Sequence, residues 1–131
     1  MPAATSEALL DAFVRAARAA LDVSAVILFG SRARGDASPG SDCDVCVSAT
    51  TLRGDPVDLA YELSKSLHED VDLCVFERIG PSLMWTIALE GRLLHGAPED
   101  FERLRLRGIK ECQDARKYLE ASRRFLDRRL G

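Results

Sequence analysis

The chain has 131 residues, of which 47% are hydrophobic and 30% charged, with a formal net charge of −3. That is enough for one hydrophobic core but not two, and the acidic balance argues against a dedicated nucleic-acid binder, which carries a basic footprint. No apolar run is long enough to cross a bilayer, and Glu7, Asp11, Arg15 and Arg18 interrupt the N-terminal region where a secretory signal would be apolar, so a cytoplasmic protein with free thiols is expected.

In chain order, Leu10, Phe13, Val14, Ala17 and Leu21 recur on one helical face, with Thr5 and Ser6 as cap candidates. Ala25 to Phe29 reads as a short apolar strand ending at Gly30. Gly35, Pro39 and Gly40 then punctuate a loop, with room for a helical turn over Ser31–Arg34. A second strand covers about residues 42–49. Asp55-Pro56 opens a helix, the acid as cap and the proline at the first helical position, with Val57, Ala60, Leu63 and Leu67 as its buried stripe.

Residues 70–76 make a third strand. Gly80-Pro81 starts a helix that runs to about Glu90 and stops at Gly91, and a short strand is expected at 92–95. From Pro98 a long helix runs almost to the end, with a break or bend expected near Gly108. It carries the stripe Phe101, Leu104, Cys112, Ala115, Leu119, Leu126 and Leu130. Residues 98–131 hold 10 basic and 7 acidic side chains, against 8 and 14 in residues 1–97, so this extension is mildly basic on an acidic body. The alternation of helices and strands predicts an α/β (α+β) fold, a small mixed β-sheet with helices packed on one face. Residues 1–97 would form the body and 98–131 a helical extension of the same domain.

The chemistry concentrates in three places. Asp42 and Asp44 follow Gly30-Ser31 after a ten-residue gap, and Asp72 sits in the third strand. Residues i and i+2 of a strand share a face roughly 6–7 Å apart. Asp42 and Asp44 can therefore both serve metal sites about 3.5–4 Å apart, the spacing that brackets an in-line phosphoryl displacement. If the second and third strands pair, Asp72 joins them. Three clustered carboxylates repel unless a cation neutralises them, and Mg²⁺, an oxygen-seeking ion often shared with substrate phosphates, suits them best.

Gly30 lets the backbone approach a phosphate closely. Ser31 and the N–H groups of the following turn can donate to phosphate oxygens, and Arg32 and Arg34 add charge for a triphosphate, without the spacing telling which points inward. No P-loop spacing occurs. Cys43 and Cys46 form a C-x-x-C, but i and i+3 on a strand point to opposite faces, so packing is expected rather than chelation. His68 and His95 lie outside the motif and read as surface or capping residues, and Met84 and Trp85 read as core.

The run Gly30-Ser31-Arg32-Ala33-Arg34-Gly35, then Ser41-Asp42-Cys43-Asp44-Val45 and Val71-Asp72-Leu73, resembles the minimal nucleotidyltransferase (MNT) family of the DNA polymerase β superfamily over about residues 7–95. The one departure is Cys43, where a larger hydrophobic residue is usual between the two acids. The resemblance implies a polymerase β-like fold and a Mg²⁺-dependent transferase. Asp42 and Asp44 would bind two Mg²⁺ ions, Asp72 would bind the catalytic one and help deprotonate an acceptor hydroxyl, and Gly30 and Ser31 would hold the β- and γ-phosphates of ATP. Chains of this size resemble the antitoxins of HEPN–MNT toxin–antitoxin pairs, which implies transfer of AMP to a tyrosine of a HEPN toxin that is also bound as partner. Two other readings stay open: an aminoglycoside-type small-molecule nucleotidyltransferase, and an antitoxin that acts by binding alone.

Overall fold

The computed structural model describes residues 11, 12, 15, 21–35, 42–52 and 54–130. Four strands form one mixed sheet: β1 (Leu21–Phe29), β2 (Cys43–Leu52), β3 (Val71–Val75) and β4 (Arg92–Gly96), in the order β3-β2-β1-β4. β1 pairs antiparallel with β2 and β4, while β2 and β3 are parallel, joined through the crossover helix that parallel strands require. The helices are α1 (Ser31–Arg34), α2 (Pro56–Leu67), α3 (Pro81–Glu90) and α4 (Pro98–Leu130), with a 3-10 turn at Phe76–Arg78 after β3. Among the described residues, no helix is long and apolar enough to cross a membrane.

The sequence suggests helices on one face of the sheet; the structure has them on both. Val26, Leu28, Cys43, Val45, Val47 and Val75 pack on one side against Leu59 and Leu63 of α2. Ile27, Phe29 and Cys46 pack on the other against Phe76, Met84, Ile87 and Phe101, so α3 and the start of α4 close the second face. The unbroken apolar run of β1 is the local sign of this, since a strand buried on both faces does not alternate. Residues 25–29 are all buried.

Of the helix expected near the N-terminus, Asp11, Ala12 and Arg15 are described and helical, with Ala12 buried in the α2-side core. Thr5, Ser6, Leu10, Phe13, Val14 and Ala17 lie outside the described residues, and so do Pro39, Gly40 and Ser41. Leu21, expected on that helix, instead begins β1 and pairs with Leu52. In α2 the cap is as expected, the Asp55 carboxylate accepting from the Val57 N–H at 2.9 Å. The stripe is displaced, however: Leu59 and Leu63 are buried while Val57 is 71% exposed, because the i, i+4, i+8 row through Leu59, Leu63 and Leu67 meets the sheet.

α4 does not break at Gly108. A Cβ there would come 2.8 Å from the Met84 carbonyl oxygen, so the glycine is where α4 crosses α3 at backbone contact. The stripe of α4 divides soon after. Phe101 is buried, whereas Tyr118, Leu119, Phe125 and Leu126 are all more than half exposed. A 33-residue helix spans about 50 Å, and these large apolar side chains of its second half stay exposed.

Candidate active site

The site is built where β1 ends. Gly30 caps α1 with φ 75° and ψ −157°, a conformation costly to residues with a Cβ, and the chain turns directly into Ser31. The Arg34 N–H donates to the Gly30 carbonyl at 3.1 Å, closing the single helical turn. The N–H groups ahead of it have no acceptor within the helix and point out of its N-terminal end.

The turn lies against the carboxylates. Phe29 is the register partner of Asp44, and a Cβ on Gly30 would fall 2.2 Å from the Asp44 Oδ2. On the other side of β2, Asp44 is the register partner of Asp72. In-register residues of parallel strands share a face about 4.8 Å apart, so the two carboxylates stand side by side. Asp42, just before β2, is exposed, as is Asp72, while Asp44 is half-buried between them. The pairing starts at this end, with the Cys43 N–H donating to the Asp70 carbonyl at 2.8 Å.

Electrostatics bears out the crowding. Burial, then the charges of Asp72 and Asp42, push the Asp44 carboxyl above the usual carboxylate range, while Arg32 and Arg34 pull it back. Among the described residues no three acidic, histidine or cysteine side chains already converge on a single ion position. The donor set still suits Mg²⁺ rather than a softer metal, because all three groups are carboxylates whose mutual repulsion a hard cation relieves, with substrate phosphates free to complete its shell.

The two arginines separate by face. Arg32 is 11% exposed and forms an ion pair with Glu69, in the turn that leads into β3, on the side of Cys43. Burial pushes the Cys43 thiol up to about 11, against the pull of this guanidinium. Arg34 is 46% exposed, and its Nη1 donates to both carboxylate oxygens of Glu90 at the end of α3, at 3.0 and 3.1 Å. Glu69 and Glu90 were not legible as site residues. They lie 37 and 56 positions from their arginines, and no local pattern links them.

The remaining expectations are met with one exception. Cys43 and Cys46 belong to opposite core clusters and cannot chelate together. His68 is exposed and ends α2 in the left-handed conformation, and His95 is exposed on β4. Met84 is buried in the second core, whereas Trp85, expected in the core with it, is half-buried and belongs to neither core cluster.

Comparison with known proteins agrees with this architecture. The family described as "Polymerase beta, Nucleotidyltransferase" matches residues 14–100. No curated protein matches the sequence significantly. Among solved structures, a chain of a toxin–antitoxin complex with AMP-PNP superposes with a TM-score of 0.73 at 24% identity, over 93% of this chain and 98% of that one. A chain from the complex of tri-AMPylated Shewanella oneidensis HEPN toxin with MNT antitoxin gives a TM-score of 0.69 at 21% identity, over 97% and 100%. A chain of a MntA–HepT toxin–antitoxin complex gives 0.68 at 22%, over 95% and 99%. At these identities the likeness is one of fold.

Proposed function

The chain belongs to the polymerase beta nucleotidyltransferase family, and on that premise we propose that it transfers AMP from ATP to a hydroxyl, a tyrosine, of a HEPN-type toxin and so acts as that toxin's antitoxin. The observation that carries the transferase reading is the side-by-side register of Asp44 and Asp72 with Gly30 pressed against Asp44. It sets the backbone turn after β1 directly beside a pair of carboxylates.

In this reading Gly30 and Ser31 hold the β- and γ-phosphates through N–H groups and the serine hydroxyl. Arg34 adds its charge there, while Arg32 holds the turn in place through Glu69. Asp42, Asp44 and Asp72 would hold two Mg²⁺ ions, which when bound polarise the α-phosphate and neutralise the departing charge. Asp72, at the open edge of the site, accepts the proton of the incoming hydroxyl. The acceptor oxygen attacks the α-phosphorus, the bond from that phosphorus to the bridging oxygen breaks, and pyrophosphate leaves.

The partner is supported by two facts. Similar folds occur in a toxin–antitoxin complex with AMP-PNP and in the complex of a tri-AMPylated HEPN toxin with MNT antitoxin. Moreover, α4 carries Tyr118, Leu119, Phe125 and Leu126 more than half exposed, an apolar stripe with no covering element among the described residues. Residues 98–131 would thus extend the catalytic domain and dock the acceptor.

The test is to incubate the protein with Mg²⁺, α-phosphate-labelled ATP and host lysate, beside the Asp42→Asn/Asp44→Asn double variant. Label on one small protein, lost with the double variant, supports the proposal. Label confined to small molecules moves the reading to an aminoglycoside-type transferase. Neutralisation of the toxin by the double variant at full strength would leave an antitoxin that acts by binding alone.

A further inference from the structure

Outside the carboxylate site, the structure brings two thiols together that no local sequence pattern joins. Cys46 of β2 and Cys74 of β3 are register partners on adjacent parallel strands. Both face the α3 side of the sheet, Cys46 fully buried and Cys74 half-buried beside it. The C-x-x-C of the sequence thus packs as expected, and the juxtaposition of two thiols is made by the sheet.

Neighbouring strands lie about 4.8 Å apart. That is inside the Cα separation of roughly 4.4–6.8 Å that a disulfide spans. The Cys46 Sγ makes a weak contact of 3.8 Å with the Val47 carbonyl oxygen, and the Cys74 thiol is its other polar neighbour. β3 is the edge of the sheet and is hydrogen-bonded to β2 as its strand partner, so a bond here would lock the edge covalently. Cys46 and Cys74 each lie two residues beyond a carboxylate on the same face. The bond would sit roughly 6–7 Å from the Asp44–Asp72 pair and hold the spacing of that pair.

We propose that Cys46 and Cys74 form a cross-strand oxidation site that a hydroperoxide converts to an intramolecular disulfide. Cys74, the more accessible, attacks the peroxide oxygen and becomes a sulfenic acid as the O–O bond breaks and an alcohol or water leaves. The Cys46 sulfur then attacks the Cys74 sulfur, the S–O bond breaks and water leaves, so one hydroperoxide is reduced for two thiols oxidised. The bond needs no nucleotide and forms whether or not the chain transfers one.

The experiment treats the full chain with hydrogen peroxide, caps the remaining thiols and maps its peptides without reduction. The expected result is a linked peptide joining Cys46 to Cys74, a fall of two in the four free thiols, and full reversal by dithiothreitol. In the Cys74→Ser variant, which alters the half-buried partner and leaves the buried Cys46 in place, Cys46 should stay reduced under the same treatment. Cys74 driven to sulfinic acid without a linked peptide would overturn the proposal, as would both thiols remaining free. Oxidation of Cys46 in the Cys74→Ser variant at the wild-type rate would overturn it equally.

Discussion

A Cβ on Gly30 would sit 2.2 Å from the Asp44 Oδ2, so the turn after β1 leaves no room for a side chain beside the central carboxylate. Gly30→Ala must therefore move one of them, and it also places a side chain at φ 75°. We expect a loss of about 1–3 kcal/mol of stability, read from a urea midpoint, for a backbone strain of this kind. Nucleotide transfer should fall at least a hundredfold, since the change displaces Asp44. Activity at the wild-type level would show that the turn does not position the site.

Asp44 is held above the usual carboxylate range by burial and by the charges of Asp72 and Asp42. A carboxyl whose folded pKa is raised binds its proton more tightly in the folded state. The contribution of Asp44 to stability is then fully present below its unfolded pKa and is lost as pH rises through the folded one. Asp44→Asn should raise the Tm at neutral pH and flatten that decline while abolishing transfer. Mg²⁺ should raise the Tm of the wild type more than that of the variant. An unchanged or lower Tm for Asp44→Asn would contradict the electrostatic picture.

The two arginines should separate in their effects. Arg32 and Glu69 are both nearly buried, at 11% and 13% exposed, so Arg32→Ala should cost about 3 kcal/mol in a denaturant titration. Arg34 is 46% exposed, and an exposed pair contributes about 1 kcal/mol at most, so Arg34→Ala should leave the fold nearly unchanged. It should instead raise the KM for ATP about tenfold, the effect of losing one charge-assisted contact. The reverse pattern would assign the triphosphate to Arg32.

Gly108 tests the packing of α4. Alanine is favoured over glycine inside a helix by about 1 kcal/mol. At this position, however, its methyl would meet the Met84 carbonyl oxygen at 2.8 Å. We expect Gly108→Ala to lower stability by about 1–3 kcal/mol, the usual cost of overpacking a close contact. A stabilised variant would mean that α3 and α4 separate without cost.

The exposed half of α4 should matter for association and not for folding. Leu119 and Leu126 are 67% and 54% exposed, so Leu119→Asp/Leu126→Asp should change stability by no more than about 0.5 kcal/mol. Binding to the HEPN-type toxin, measured by calorimetry, should weaken at least tenfold, about 1.4 kcal/mol. Unchanged affinity would place the dock elsewhere.

Much of this was legible locally. The α2 cap, the Pro81–Glu90 helix, the Ala25–Phe29 part of β1 and β2 through β4 follow from signals that act within a few residues: a side chain bonding the next turn, proline at a helix start, apolar runs bounded by glycine. The Gly30, Asp42, Asp44 and Asp72 constellation was readable because strand periodicity fixes which side chains share a face. Tertiary structure decided what depends on pairing across the chain. It made Asp44 and Asp72 neighbours through the β2–β3 register, set Arg32 against Glu69 and Arg34 against Glu90, and joined Cys46 to Cys74 while parting it from Cys43. It also covered both sheet faces and made Gly108, an expected break or bend, the point where an unbroken α4 crosses α3. Those outcomes rest on contacts between residues far apart in sequence, where the energy comes from burial against a partner surface that no local window contains.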